Sequence, residues 1–206
     1  PAHLAKAVEA SRAAKDDAPK PIVALDGVAA LLERLGSERG VTLGLLTGNS
    51  RAGAQIKIEA CGLPWHVFDA DCSAFGNVTR ERNELPRLAW DSARNKRNHA
   101  SASASSSDRA DSKAVDVKSA PADVFHARNT LIIGDTPRDI ECAVANGAWV
   151  LAVATGSFSA SALRANVPHA PHWVLDDLKD ADAVLDIVHA VRSGRAPAAA
   201  TSAASA

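Results

Sequence analysis

Leu131-Ile132-Ile133-Gly134-Asp135-Thr136-Pro137-Arg138-Asp139 is an apolar run that stops abruptly at a carboxylate and the start of a helix. A four-residue strand would deliver Asp135 to its tip. Thr136 suits the cap of the next helix, Pro137 its first position, and Asp139 lies one turn further on. Small polar residues at the carboxyl end of a buried strand are how an α/β protein builds a phosphate or metal site. Two carboxylates beside a helix N-terminus suit a hard cation such as magnesium, which keeps some of its waters and bridges to a substrate phosphate. An ordinary strand-turn-helix with Asp135 and Asp139 as capping residues has the same spacing.

A second stretch, Leu45-Leu46-Thr47-Gly48-Asn49, repeats the pattern. Thr47 supplies a hydroxyl at a strand tip, Gly48 lets backbone N–H groups approach an anion, and Asn49 or Ser50 suits the cap of a helix starting near Arg51. A plain turn before a helix explains Thr-Gly-Asn equally well. In this order, with Ile140 to Gly147 and Val150 to Gly156 behind the second, the two stretches resemble motifs II and IV of the haloacid dehalogenase (HAD) superfamily. The phosphoglycolate-phosphatase-like branch is the nearest in pattern, over about residues 20 to 190 apart from an insertion.

That resemblance implies a Mg2+-dependent phosphatase acting on a small organic phosphate monoester through an aspartyl-phosphate. Thr47, Gly48, Asn49 and Arg82 would bind the phosphoryl group, with Thr47 and Arg82 in the catalytic role, and Asp135 and Asp139 would hold the metal. Arg82, in Arg80-Glu81-Arg82-Asn83-Glu84-Leu85-Pro86, is the best match to the motif III cation because a helical segment follows it. Arg80 comes second. Lys113 and Lys118 also precede the Asp135 strand, but a mobile loop is a poor place for a phosphate-binding lysine. An Arg-Glu-Arg-Asn-Glu cluster is equally the solvated start of a helix.

Motif I has no counterpart. The family's Asp-x-Asp-Gly-Thr, source of the nucleophile and the general acid/base, should precede Thr47. Ile22-Val23-Ala24-Leu25-Asp26-Gly27 offers one aspartate there, better placed to cap a helix carrying Val28, Leu31, Leu32 and Leu35. Val67-Phe68-Asp69-Ala70-Asp71 has the required look but comes after Thr47 and continues into Cys72-Ser73-Ala74, so it reads as a strand tip and a loop. In the family the motif I strand lies between the Thr47 and Asp135 strands. Without it each unpaired buried backbone group costs about 1–3 kcal/mol, against a folding free energy of about 5–15 kcal/mol. The expectation is a fragment lacking its first central strand and most of the cap domain, or else a chain in which the two strands close up directly and which is not a working enzyme. A chain of 206 residues without methionine, opening at Pro1 in an alanine-rich pattern, fits that expectation. The alternatives are a non-catalytic HAD-like phosphate-binding or regulatory protein, and a different doubly wound domain such as a response regulator.

The fold expected is α/β, a Rossmann-like parallel sheet with helices on both faces. Strands are predicted at Val41–Leu46, His66–Phe68, Thr130–Ile133, Trp149–Ala154 and Trp173–Val174. Helices are predicted at Val28–Leu35, Arg51–Cys61, Leu85–Ala93, Arg138–Asn146, Ala160–Ala165 and Leu178–Val191, with Gly36, Gly62 and Gly147 at helix C-termini. The core divides into 21–94 and 123–192. A Ser/Ala-rich segment, 95–122, and a tail, 193–206, are too poor in apolar residues to offset their ordering entropy and are expected to be disordered. Residues 1–20 read as a helical segment, a possible cap remnant at His3 to Ala14.

Composition narrows the partners. A net charge of −1 gives no strong pull on nucleic acid or membranes, so the partner expected is a small phosphorylated metabolite. Cys61, Cys72 and Cys142 lack metal-ligand spacing and read as thiols in a reducing compartment. His66, His126, His169 and His172 show no spacing that demands zinc, and Trp65, Trp90, Trp149 and Trp173 are expected in the core. No run approaches the roughly 20 apolar residues of a membrane span, and Pro1 to Lys20 is too polar for a signal peptide. A cytoplasmic location follows by default.

Overall fold

The computed structural model describes residues 22–104 and 125–195. Six α-helices and five short strands alternate: α1 (Val28–Ser37), β1 (Leu46–Thr47), α2 (Arg51–Ala60), β2 (Ala74–Phe75), α3 (Leu85–Ala104), β3 (Leu131–Gly134), α4 (Pro137–Ala145), β4 (Trp149–Val153), α5 (Ala160–Arg164), β5 (Trp173–Leu175) and α6 (Ala181–Arg192). All strand pairs are parallel. They form two small sheets, β1-β2 and β3-β4-β5.

Strand β4 organises the core because its side chains alternate between the two faces of its sheet. Val150 and Ala152 pack with Ile140, Cys142 and Ala143 of α4 and Leu163 of α5. Leu151 and Val153 pack with Leu31 and Leu35 of α1 and Val184, Leu185 and Ile187 of α6. Helices therefore cover both faces, as a parallel sheet requires. A smaller cluster of Ala74, Leu85 and Ala89 seats α3 on the β1-β2 sheet.

Several predicted boundaries shift. The ladder strand beside β1 is Ala74–Phe75, past the expected His66–Phe68, where His66 and Val67 belong to a 3₁₀ turn at Trp65–Val67 and Phe68 makes an isolated bridge to Leu43. Of the Val41–Leu46 run only Leu46 is regular strand, and β1 ends one residue later at Thr47. Helix α3 continues to Ala104, past Asn95 where disorder was expected to begin. Lys96, Arg97 and the alanines at 100, 102 and 104 are good helix formers even without a buried face. The rest of that insertion, Lys113, Lys118, the N-terminal segment with His3 to Ala14, and the tail beyond Arg195 lie outside the described residues. Gly36 falls inside α1, while Gly62 and Gly147 follow their helices with left-handed φ of 71° and 68°. Asp26 does not cap α1: Gly27 holds the N-cap position without a side-chain bond, and Asp26 pairs with Lys179 instead.

Candidate functional site

Both quoted stretches end as local chemistry dictates. Thr47 closes β1, and Ser50 is the N-cap of α2, its hydroxyl accepting from the Gly53 N–H at 3.2 Å. Between them the loop folds onto the threonine. Thr47 Oγ1 accepts from the Asn49 N–H at 3.1 Å and from Asn49 Nδ2 at 3.0 Å. The Gly76 N–H, just past β2, donates to the Asn49 carbonyl at 2.9 Å and ties the loop to the neighbouring strand.

At β3 the carboxylates part company. Asp139 is 4% exposed. One of its oxygens receives Arg82 and the other receives both the N–H and the hydroxyl of Thr136, at 3.1 and 2.8 Å. With Pro137 at the first helical position, Thr136 holds the N-cap position of α4 as expected, and the Asp139 side chain reaches back to it. Asp135 sits half-buried at the strand tip and enters no hydrogen bond or ion pair among the described residues. Its carboxylate lies so close to Gly156 that a Cβ there would run into it. This is a close-approach reason for the glycine that follows β4.

Arg82 is the link between the halves. It sits in a 3₁₀ turn at Arg82–Glu84 that leads into α3, and that turn is docked on α4 from three sides. Arg82 pairs with Asp139, Cys142 Sγ donates to the Arg82 carbonyl at 3.2 Å, and Asn146 Nδ2 donates to the Asn83 carbonyl at 2.8 Å. Arg80 is exposed and forms no ion pair among the described residues. The structure thus brings Arg82 to Asp139 and Asn49 to Thr47, and gives Asp135 no direct bond to either pair.

Fit to a divalent cation divides along the same line. A half-buried carboxylate without a protein partner is the donor a cation would take, whereas both oxygens of Asp139 are already engaged. Among the described residues no group of three or more His, Cys, Asp or Glu side chains is arranged to hold a metal.

Other sequence candidates are accounted for by structure. Asp71 and Asp69 face Lys96 of α3 at 2.7 and 3.4 Å, and Asp69 also accepts from the Asp71 N–H. Burial pushes the Cys72 thiol up to about 11, with Asp69 adding to it. Burial does the same to Cys142, also to about 11, against the opposing pull of Arg82. Neither is a thiolate nucleophile near neutrality. Trp90 Nε1 donates to Thr130 Oγ1 at 2.9 Å, and Trp149, His172 and Trp173 form one aromatic group.

Between the two sheets lies a cavity of about 370 Å3. Thr42, Gly44 and Leu46 form one wall, Thr130 and Leu131 the other, and Trp90 contributes from α3. Among the described residues strand β1 is hydrogen-bonded on its β2 side only and β3 on its β4 side only, so the cavity lies between segments that each leave a strand edge unpaired by them. Ile133, one residue before the tip of β3, is 37% exposed.

Lys57, which sequence reasoning did not nominate, also reaches the Thr47 loop. Its Nζ donates to Asn49 Oδ1 at 3.0 Å from α2, and nothing in the eight-residue separation announces the contact. No curated protein matches the chain. The segment that carries β3, α4, β4, α5 and β5 is nevertheless similar to a known enzyme family: residues 108–181 match the HAD-hydrolase-like family model.

Proposed function

We propose that this chain is the core of a HAD-like phosphatase that hydrolyses a small organic phosphate monoester, of the phosphoglycolate class, through an aspartyl-phosphate. The observation that carries this reading is the pair of strand tips. Thr47 and the Gly48–Ser50 loop present a hydroxyl and backbone N–H groups before α2, and β3 presents an unpartnered carboxylate, Asp135, in the segment that matches the hydrolase family.

In this reading the Thr47 hydroxyl and the Gly48 N–H hold phosphoryl oxygens, while the Asn49 N–H stays on Thr47 Oγ1. Arg82, anchored by Asp139, retains donors for a further oxygen because a guanidinium carries five N–H groups. Asp135 would hold Mg2+, which when bound neutralises phosphoryl charge. The attacking carboxylate comes from a strand that the described residues do not include. Its oxygen bonds to phosphorus as the alcohol leaves with a proton from a second acid, and water then releases phosphate and regenerates the carboxylate. The cavity between the β1 and β3 segments is where such a strand would pair with both sheets.

A second reading, a non-catalytic phosphate-binding relative, is favoured by the lack of any Asp-x-Asp before Thr47. Turnover of p-nitrophenyl phosphate with magnesium separates them. The 206-residue chain should be inactive. A polypeptide that carries an Asp-x-Asp-Gly-Thr strand ahead of Thr47 should turn over and lose at least about a hundredfold on Asp135→Asn, a loss of about 2.7 kcal/mol in transition-state stabilisation. An inactive extended chain would favour the binding protein, and activity abolished by Asp69→Asn would move the nucleophile to the Asp69-Ala70-Asp71 loop.

A further inference from the structure

Lys57 and Asn49 do something more specific than line a rim. A hydroxyl has two acceptor sites and one proton. Both acceptor sites of Thr47 are filled by Asn49, through its backbone N–H and its Nδ2. The Thr47 proton is therefore turned away from the loop, and donation is the only capacity it has left.

That arrangement depends on which way the Asn49 amide faces. Its Nδ2 must point at Thr47 and its Oδ1 away, and the two ends of an amide differ little in shape. Lys57 removes the ambiguity, because an ammonium has donors only and accepts no amide N–H. With Nζ at 3.0 Å from Oδ1, a flipped amide would set NH2 against NH3+ and turn Oδ1 toward Thr47, where it would accept the hydroxyl proton itself. The reach follows from helix geometry. Position 57 lies six residues beyond Arg51, about 9 Å along the axis. Helical side chains lean toward the N-terminus, so a long lysine stem returns to the residues just before its own helix. Lys57 is exposed, and no core packing calls for a cation there.

We propose that Lys57 and Asn49 are positioning residues that act as one relay, fixing Thr47 as a hydrogen-bond donor to a phosphoryl oxygen. The inference rests on the reading of Thr47 as the phosphoryl-holding hydroxyl.

Backbone-amide NMR of the 206-residue chain, titrated with inorganic phosphate, tests it. The wild type should show saturable shifts at Gly48, Asn49 and Ser50, and Thr47→Val should abolish them. Lys57→Met and Asn49→Ala should each weaken binding about fivefold, the worth of one hydrogen bond. The double variant should be no weaker than either alone, because members of one relay are not additive. Lys57→Arg, which keeps a donor, should bind within about twofold of wild type. Wild-type affinity in Lys57→Met beside a dead Thr47→Val would overturn the relay and leave the phosphate site standing. Additive losses in the double variant would also overturn it, since Lys57 would then act by charge alone. A loop that gives no saturable response in the wild type would remove the site and the relay together.

Discussion

Asp139 has no oxygen to spare: Arg82 takes one, and the N–H and hydroxyl of Thr136 take the other. Replacing Arg82 by Met would leave a carboxylate that is 4% exposed without its cation, a loss of about 1–3 kcal/mol. Arg82 itself is 36% exposed, which keeps the loss below that of a fully buried pair. Urea unfolding should show the midpoint fall with little change in slope, and Arg82→Lys should recover part of it. Gly156→Ala is the matching test of Asp135, because the added Cβ would displace its carboxylate. The variant should stay folded and lose magnesium affinity at least tenfold by calorimetry. Unchanged affinity would take the metal away from Asp135. Thr136, Pro137 and Asp139 were readable as a cap because all their partners are within three residues. The Arg82 pair spans 57 positions, and Lys57 reaches Asn49 through the pitch of α2. Sequence could nominate Arg82 only by resemblance and did not nominate Lys57 at all.

Among the elements, β4 has the strongest signature and the heaviest role. Trp149–Val153 is an unbroken apolar run, and its side chains serve both core clusters. Leu151→Ala should cost about 2–5 kcal/mol, seen as a marked drop in Tm, whereas Ile56→Ala on exposed α2 should cost little. Strand β2 was missed because Ala74-Phe75 is two residues long and lies in a loop-like context. Its place is set by hydrogen bonds from the Ala74 N–H to Leu45 and from the Leu45 N–H to Ser73. The Ser/Ala stretch misled in the other direction, since composition speaks to burial and not to helix propensity. Where β4 meets β5, His172 Nδ1 accepts from the Val150 N–H at 3.1 Å, and burial holds its pKa below the ordinary 6.5. Its neutral form is the one that fits. The contribution is whole above about pH 6.5 and is lost as pH falls from there through the lower folded value. Stability measured from pH 7.5 to 5 should therefore decline, and His172→Gln should flatten that decline. An identical slope in the variant would assign the acid sensitivity elsewhere.

At the scale of the molecule, two parallel sheets stand with a cavity between their unpaired edges, and Arg82 bridges from the α3 side to α4. Alternating strand and helix patterns made the α/β class and both-sided helix cover legible from sequence. The division into two sheets was not legible: a single sheet was expected, whereas β1 pairs with β2 and β3 with β4, and the Thr47 and Asp135 strands do not close up on each other. The central claim is that the Thr47 loop and Asp135 face one bound phosphate. Mn2+ in place of Mg2+ tests this directly, because a paramagnetic ion broadens the amide signals around it. With inorganic phosphate present, the account predicts that one low concentration of Mn2+ broadens Asp135 and Thr136 together with Gly48 and Asn49. Broadening confined to one of these pairs, or centred on Asp69 and Asp71, would contradict it.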